Sequence, residues 1–222
     1  MKEITVISVL YQGEDVPPWS QNMFNEKWAD KLYRGIARNL SNPFRFVCLV
    51  DQDYQFEEPI DAIKLENPYR NMFSLLECLR PDIDDNPKMF MGLDTIITGN
   101  IDNIAQYSGD FAMIRDPYFP ENRASGVMLF QQKAASEYYA RFKQDQNKGK
   151  FTLGGFVSDM VWLDQNIPPC DLLQDLYPNQ IVSYKADLMS GKLRWNDAKI
   201  IYFHGEPKPH RLGMPWVKEN WK

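Results

Sequence analysis

The 222-residue chain has only two histidines and three cysteines, and the cysteines fit no zinc-ligand spacing. Cys48, Cys78 and Cys170 stand far apart and leave one over if two should pair, so no disulfide framework is expected. They read as reduced core residues of a cytoplasmic protein. No stretch approaches the ~20 apolar residues of a membrane span. The apolar run Ile4 to Leu10 follows Lys2 and Glu3, is short, and precedes no small-residue cleavage pattern, so it is not expected to be a signal peptide. An excess of basic residues is missing too: 25 Lys and Arg face 30 Asp and Glu, a net charge of -5. A field of that sign repels nucleic acid and anionic lipid and leaves a small anion, held by a local basic patch, as the charged partner to look for. Without repeats, low-complexity tracts or Gly/Ser-rich linkers, the expectation is a single domain, 1–222.

What is present is enough to bury a core, since 44% of the residues are apolar and 14% aromatic. Ile4 to Leu10 is β-branched and apolar on both alternating faces, as in a strand covered on both sides of a parallel sheet. Apolar residues at helical spacing from Trp28 to Leu40 predict a helix that stops before Asn42-Pro43, and Phe44 to Val50 is a second continuous strand ending at Asp51. This β-α-β order predicts an α/β fold with a mainly parallel sheet flanked by helices. Further strands are expected at Ala62 to Leu65, Lys88 to Leu93, Asp110 to Arg115, Val127 to Phe130 and Lys199 to Phe203. Helices are expected at Met72 to Leu79, about Lys133 to Lys148, and about Phe156 to Leu163, with Ile96 to Ile104 as a hydrophobic loop and a Pro-rich tail at the end.

Two places carry chemistry on their own residues. Both histidines fall in the heptad His204-Gly205-Glu206-Pro207-Lys208-Pro209-His210. With Lys208, His210 and Arg211 as donors on a proline-stiffened path, this loop suits a phosphate group. The other place is Asp94, delivered by the strand ending MFMGL, because ligands of open α/β sheets bind at the carboxyl ends of strands. The competing structural readings are a surface tail for the first and a turn or helix-capping acid for the second.

Taken together, FMGLDTIITGNIDNI (Phe90 to Ile104), SGVMLF (Ser125 to Phe130), SDMVWLDQ (Ser158 to Gln165) and YFHGEPKPH (Tyr202 to His210) resemble, in this order, the motif blocks of GT-A nucleotide-sugar glycosyltransferases. The nearest likeness is to the family 8-like group of bacterial and viral enzymes, and it spans roughly Ile4 to His210. The resemblance implies a Rossmann-like GT-A domain that moves a sugar from a nucleoside diphosphate donor, UDP-linked, to a glycan or other hydroxyl acceptor. It makes Asp94 the second acid of a DxD motif, followed by Thr95, holding a divalent metal, Mn2+ or Mg2+, on the donor diphosphate. Gly92 stands where the first acid would be, so the motif is degenerate. The group's metal-ligating histidine falls at Tyr202, with His204 two residues on and available instead. By the same resemblance, Ser125 and Gly126 lie against the donor sugar, and Tyr11 and Asp51 face the base and ribose. Gly205, Lys208 and His210 belong to the diphosphate loop, and Asp159 is the acid of the third block and the candidate catalytic base. Trp162 and Trp195 are either sugar-stacking or core residues. Two rivals stand beside this reading. One is a nucleotidyltransferase, which would want a basic Gly-rich loop where Glu14 and Asp15 lie; the other is a catalytically degenerate nucleotide-sugar or glycan-binding domain.

Overall fold

Strand β1 (Ile4–Leu10) is buried along its whole length. Its side chains divide between two cores. Ile4, Val6 and Leu10 pack with Trp28, Ala29, Leu32 and Ile36 of helix α1 (Glu26–Asn39), whereas Ile7 and Val9 pack with Phe73, Leu76 and Leu79 of a 3-10 helix (Met72–Leu79). Burial on both faces is what a continuous apolar strand requires. Helix α1 starts where the Asn25 side chain accepts from the Lys27 N–H and stops at Leu40, ahead of Pro43. The chain is described here from a computed structural model covering residues 3–18, 20–67, 69–145 and 148–222.

The order continues with β2 (Phe44–Val50), β3 (Asp61–Lys64), β4 (Lys88–Met91), β5 (Ile96–Ile97), α2 (Asp102–Ala105), β6 (Phe111–Arg115), β7 (Arg123–Phe130) and α3 (Gln132–Gln144). After these come β8 (Thr152–Leu153), β9 (Phe156–Val157), α4 (Asp159–Asn166), β10 (Asp171–Leu172), α5 (Leu173–Leu176), β11 (Ile181–Ser183), β12 (Ile200–Tyr202) and α6 (Pro215–Asn220). Seven strands form the central sheet in the order β10-β6-β7-β4-β1-β2-β3. Strands β4, β1, β2 and β3 run parallel, β10 is parallel to β6, and β7 alone is antiparallel to both its neighbours. Helices α3 and α4 cover the face opposite α1, with Tyr139, Phe142, Trp162 and Leu163 in the second core. The α/β class with a mostly parallel sheet is therefore as expected.

Several boundaries differ from those read from the sequence. Strand β4 stops at Met91, because Gly92 to Thr95 close a turn in which the Thr95 N–H donates to Gly92 O at 3.0 Å. Strand β7 begins at Arg123, four residues early: Arg123 pairs with Arg115 across a register shift at Met113/Ile114, a bulge that lets the polar segment Arg123 to Gly126 stay in the sheet. The helix expected from Phe156 starts at Asp159, since Phe156 and Val157 pair with Thr152 and Leu153 in a hairpin around Gly154 and Gly155, both at positive φ. The loop Ile96 to Ile104 contains β5 and α2, and the tail ends in α6 rather than in irregular chain. Helix α3 ends at Gln144, and residues 146 and 147 of the longer helix expected there lie outside the described residues.

Candidate functional site

Strand direction assembles the site. The parallel strands β1 and β4 deliver Tyr11 and the Gly92 to Asp94 turn at the same edge of the sheet, and Ser8 Oγ donates to Met91 O at 2.6 Å to extend their pairing to the last residue. Because β7 is antiparallel to β4, its beginning rather than its end reaches that edge, and the Gly92 N–H donates to Gly126 O at 3.0 Å. Ser125 and Gly126 are thus placed beside Gly92. Strand β12 pairs antiparallel with β5, just past the turn (Ile201 with Ile96), so His204 and the following loop return over Asp94. There Lys208 Nζ forms a salt bridge with Asp94 Oδ2, both residues buried.

These elements enclose a cleft of about 780 Å³, within the range of small-molecule sites. Its walls include Tyr11, Asp94, Ser125, Gly126, Asp159, Tyr202, His204, Gly205 and Lys208, and an apolar rim adds Tyr118, Phe119, Leu153 and Phe156. Tyr118 and Phe119 are more than half exposed. Their loop is held by Asp116, whose Oδ1 accepts from the N–H groups of Tyr118 (2.8 Å) and Phe119 (3.0 Å), and the Tyr118 ring stands edge-on to His204, centroids 5.1 Å apart.

Asp159 opens α4 behind the Ser158 cap, with Ser158 Oγ accepting from the Val161 N–H at 3.4 Å. Burial pushes its carboxyl up to about 6, against the pull of the Ser125 hydroxyl and of the backbone N–H groups at the helix start. Its Oδ2 is buried with no hydrogen-bond partner. A carboxylate so placed is a proton acceptor poised near neutral pH. Tyr11 is held neutral by its own burial and, secondarily, by Asp159. His204 shares a 2.8 Å hydrogen bond between Nε2 and Ser183 Oγ. Burial, then the charges of Lys185 and Lys208, hold it below the usual histidine range.

Not every residue singled out from the sequence reaches the cleft. Asp51 ties the end of β2 to the chain beyond β1, accepting from the Gln12 N–H (2.9 Å) and the Tyr54 hydroxyl (3.1 Å), and is not among the cleft walls. His210 is exposed and packs edge-on against Trp28, centroids 5.2 Å apart, because a short 3-10 turn (Pro209–Arg211) carries it away from Lys208. Thr95 is buried behind the turn, its hydroxyl without a partner. Trp162 is core, donating from Nε1 to Asp145 at 3.1 Å. Trp195 stacks on Trp216 (5.7 Å, 8° between planes) at a separate hollow of about 270 Å³. Sequence reasoning missed Lys185, Asp116 and the Tyr118-Phe119 rim, none of which lies in a recognisable spacing.

The residues expected to hold a divalent metal do not fit one as arranged. Asp94 is paired with Lys208, His204 with Ser183, and position 92 supplies no side-chain oxygen. Among the described residues, no three His, Cys, Asp or Glu side chains gather as a ligand set, whereas a hard cation wants several oxygen ligands. No helix among them is long and apolar enough to cross a membrane.

No family model matches the sequence, and no curated protein resembles it by sequence. Solved structures do resemble it in shape. The glycosyltransferase GlyE of Streptococcus pneumoniae superposes on 99% of this chain with a TM-score of 0.63 at 14% identity, and the bifunctional glycosyltransferase WbbM on 98% with 0.63 at 11%. An active-site mutant of LgtC covers 97% with 0.57 at 9%. The chain spans 63% of GlyE and 51% of WbbM, but 93% of the LgtC chain. At such identities the likeness establishes architecture alone: the chain shares the fold of these three glycosyltransferases.

Proposed function

We propose that the protein transfers a sugar from a nucleoside diphosphate donor, UDP-linked, to a hydroxyl of a glycan acceptor. The observation that carries this reading is the presence, in one cleft, of a buried ammonium, Lys208, and a buried carboxylate, Asp159, one of whose oxygens is unpartnered. Inverting glycosyl transfer uses both. As the anomeric C–O bond breaks, its electron pair goes to the diphosphate, whose growing charge Lys208 stabilises in a site shielded from water. As the acceptor oxygen bonds to the anomeric carbon, its proton passes to Asp159. Ser125 hydrogen-bonds Asp159 and, with Gly126, borders the donor sugar in this scheme. Tyr11 stacks on the base, and the aromatic rim receives the acceptor, since aromatic faces suit the apolar faces of sugar rings.

Transfer and mere binding are separated by donor turnover. Incubation with a panel of UDP-sugars should release UDP, slowly onto water and faster once an acceptor glycan is supplied. Binding of sugar nucleotides without any release of UDP would instead identify a catalytically silent binding domain.

A further inference from the structure

Lys185 is a cation that this scheme leaves unused. It sits half-buried in a single π-turn (Tyr184–Leu188) after β11. Two contacts tie the turn to the cleft: Ser183 Oγ accepts from the Ala186 N–H at 3.0 Å and shares its 2.8 Å hydrogen bond with His204. Lys185 Nζ lies 3.6 Å from where a side chain on Gly205 would begin, and Gly205, at φ 58°, is part of the cleft wall. Any other residue at 205 would suffer strain at that φ.

Lys185 is not itself among the cleft walls and stands beside Gly205, which is. Lys208 is matched by Asp94. Lys185 has no carboxylate within 4.0 Å among the described residues, and nearby Asp187 is turned back to accept from the Ser183 N–H at 2.7 Å. Two ammoniums, Lys185 and Lys208, act on His204, and so do two carboxylates, Asp116 and Asp94, so two fixed cations stand at this place against two acids, as a divalent ion would.

We propose that Lys185 is a second binding residue for the donor diphosphate, and that the Lys185 and Lys208 ammoniums together supply the charge that a divalent metal supplies where two carboxylates hold it. Two carboxylates with one divalent ion are neutral, and so are Asp94 and Asp116 with two lysines, so the missing acid at Gly92 and the engaged Asp94 become parts of one design. The inference rests on the donor reading above for the identity of the diphosphate.

The test is calorimetric titration in EDTA of inorganic pyrophosphate, UDP and uridine into the wild type, Lys185→Ala, Lys185→Gln and Lys185→Arg. Circular dichroism checks that each variant is folded. Wild type should bind pyrophosphate and UDP without metal. Lys185→Ala and Lys185→Gln should weaken both about tenfold or more, as expected for a lost charge-assisted hydrogen bond. Uridine should be unaffected, and Lys185→Arg should recover most of the affinity. Absence of pyrophosphate and UDP binding in EDTA, binding that appears only with Mn2+, or unchanged affinity in Lys185→Ala and Lys185→Gln would each overturn the inference. Assaying donor turnover in parallel keeps the two readings apart. Pyrophosphate held through Lys185 without turnover of any sugar nucleotide refutes the transferase and spares the anion site, whereas turnover that Lys185 variants leave intact and Mn2+ controls does the reverse.

Discussion

Replacing Asp159 with asparagine should stabilise the protein while disabling it. Asp159 is 3% exposed, and its carboxyl is raised from 3.8 to about 6, chiefly by burial. The folded chain therefore holds this proton more tightly than the unfolded chain does. The associated stability is complete below about pH 4 and is lost as pH rises through about 6. The interval from 3.8 to about 6, at ~1.4 kcal/mol per pH unit, amounts to ~3 kcal/mol. Asparagine keeps an acceptor for the Ser125 hydroxyl and carries no charge to desolvate, but its NH2 group inherits the unpartnered position of Oδ2, which returns part of the gain. At pH 8 Asp159→Asn should be more stable than wild type by ~1 to 3 kcal/mol, or roughly 3 to 10 °C in melting temperature for a chain of this size. At pH 4 the two proteins should nearly coincide. Urea unfolding followed by tryptophan fluorescence at half-unit steps from pH 4 to 8 measures the difference directly. The same substitution should slow transfer severely while leaving UDP affinity within a few-fold, and the wild-type rate should fall on acidification below about pH 6. A stability difference independent of pH, or a mutant weaker than wild type only at pH 8, would refute the reasoning, because either result means that the carboxylate is better solvated in the fold than its burial implies.

Lys208→Ala should weaken UDP by ~1 to 3 kcal/mol and spare uridine; equal losses for both would make Lys208 purely structural. It should also lower the melting temperature of the free protein, since it removes the ion-pair partner of the buried Asp94. Gly92→Asp places a Cβ 2.9 Å from Asp94 Oδ1, so Asp94 must swing aside. UDP affinity in EDTA should fall, while Mn2+ affinity should rise at least about tenfold, ~1.4 kcal/mol, once two carboxylates share the turn. Calorimetry with Mn2+ that shows no gain would mean that positions 92 and 94 are not the remnant of a metal-binding pair. Gly126→Ala sets a methyl 3.2 Å from Ile114 Cδ1 and should cost ~1 to 3 kcal/mol by urea titration; a neutral result would show that the bulge at Met113/Ile114 absorbs the extra volume.

The sequence by itself determined what depends on neighbours along the chain. The apolar runs of β1 and β2, the helical spacing from Trp28 to Leu40 between them and the stop at Pro43 each follow from local burial and backbone preference, and together they are enough for a parallel β-α-β unit. Quoted as blocks, the segments around Asp94, Ser125, Asp159 and His204 also pointed to the edge where the cleft lies, since strand ends and the turns after them are visible in one dimension. What each carboxylate and cation does there was decided by tertiary structure. Asp94 and Lys208 are 114 residues apart, and nothing local says that the second neutralises the first. The antiparallel course of β7, which brings Ser125 to Gly92, depends on pairing with β4 and β6 across the sheet rather than on its own alternation. Asp51 and His210, attractive as residue types, were drawn to Gln12 and Trp28, and Lys185 entered only because a π-turn pinned by Ser183 aims it at Gly205. Burial pattern is a property of a segment and can be read from it. A site's charge balance is a property of which segments meet, and a one-dimensional pattern does not contain those distances.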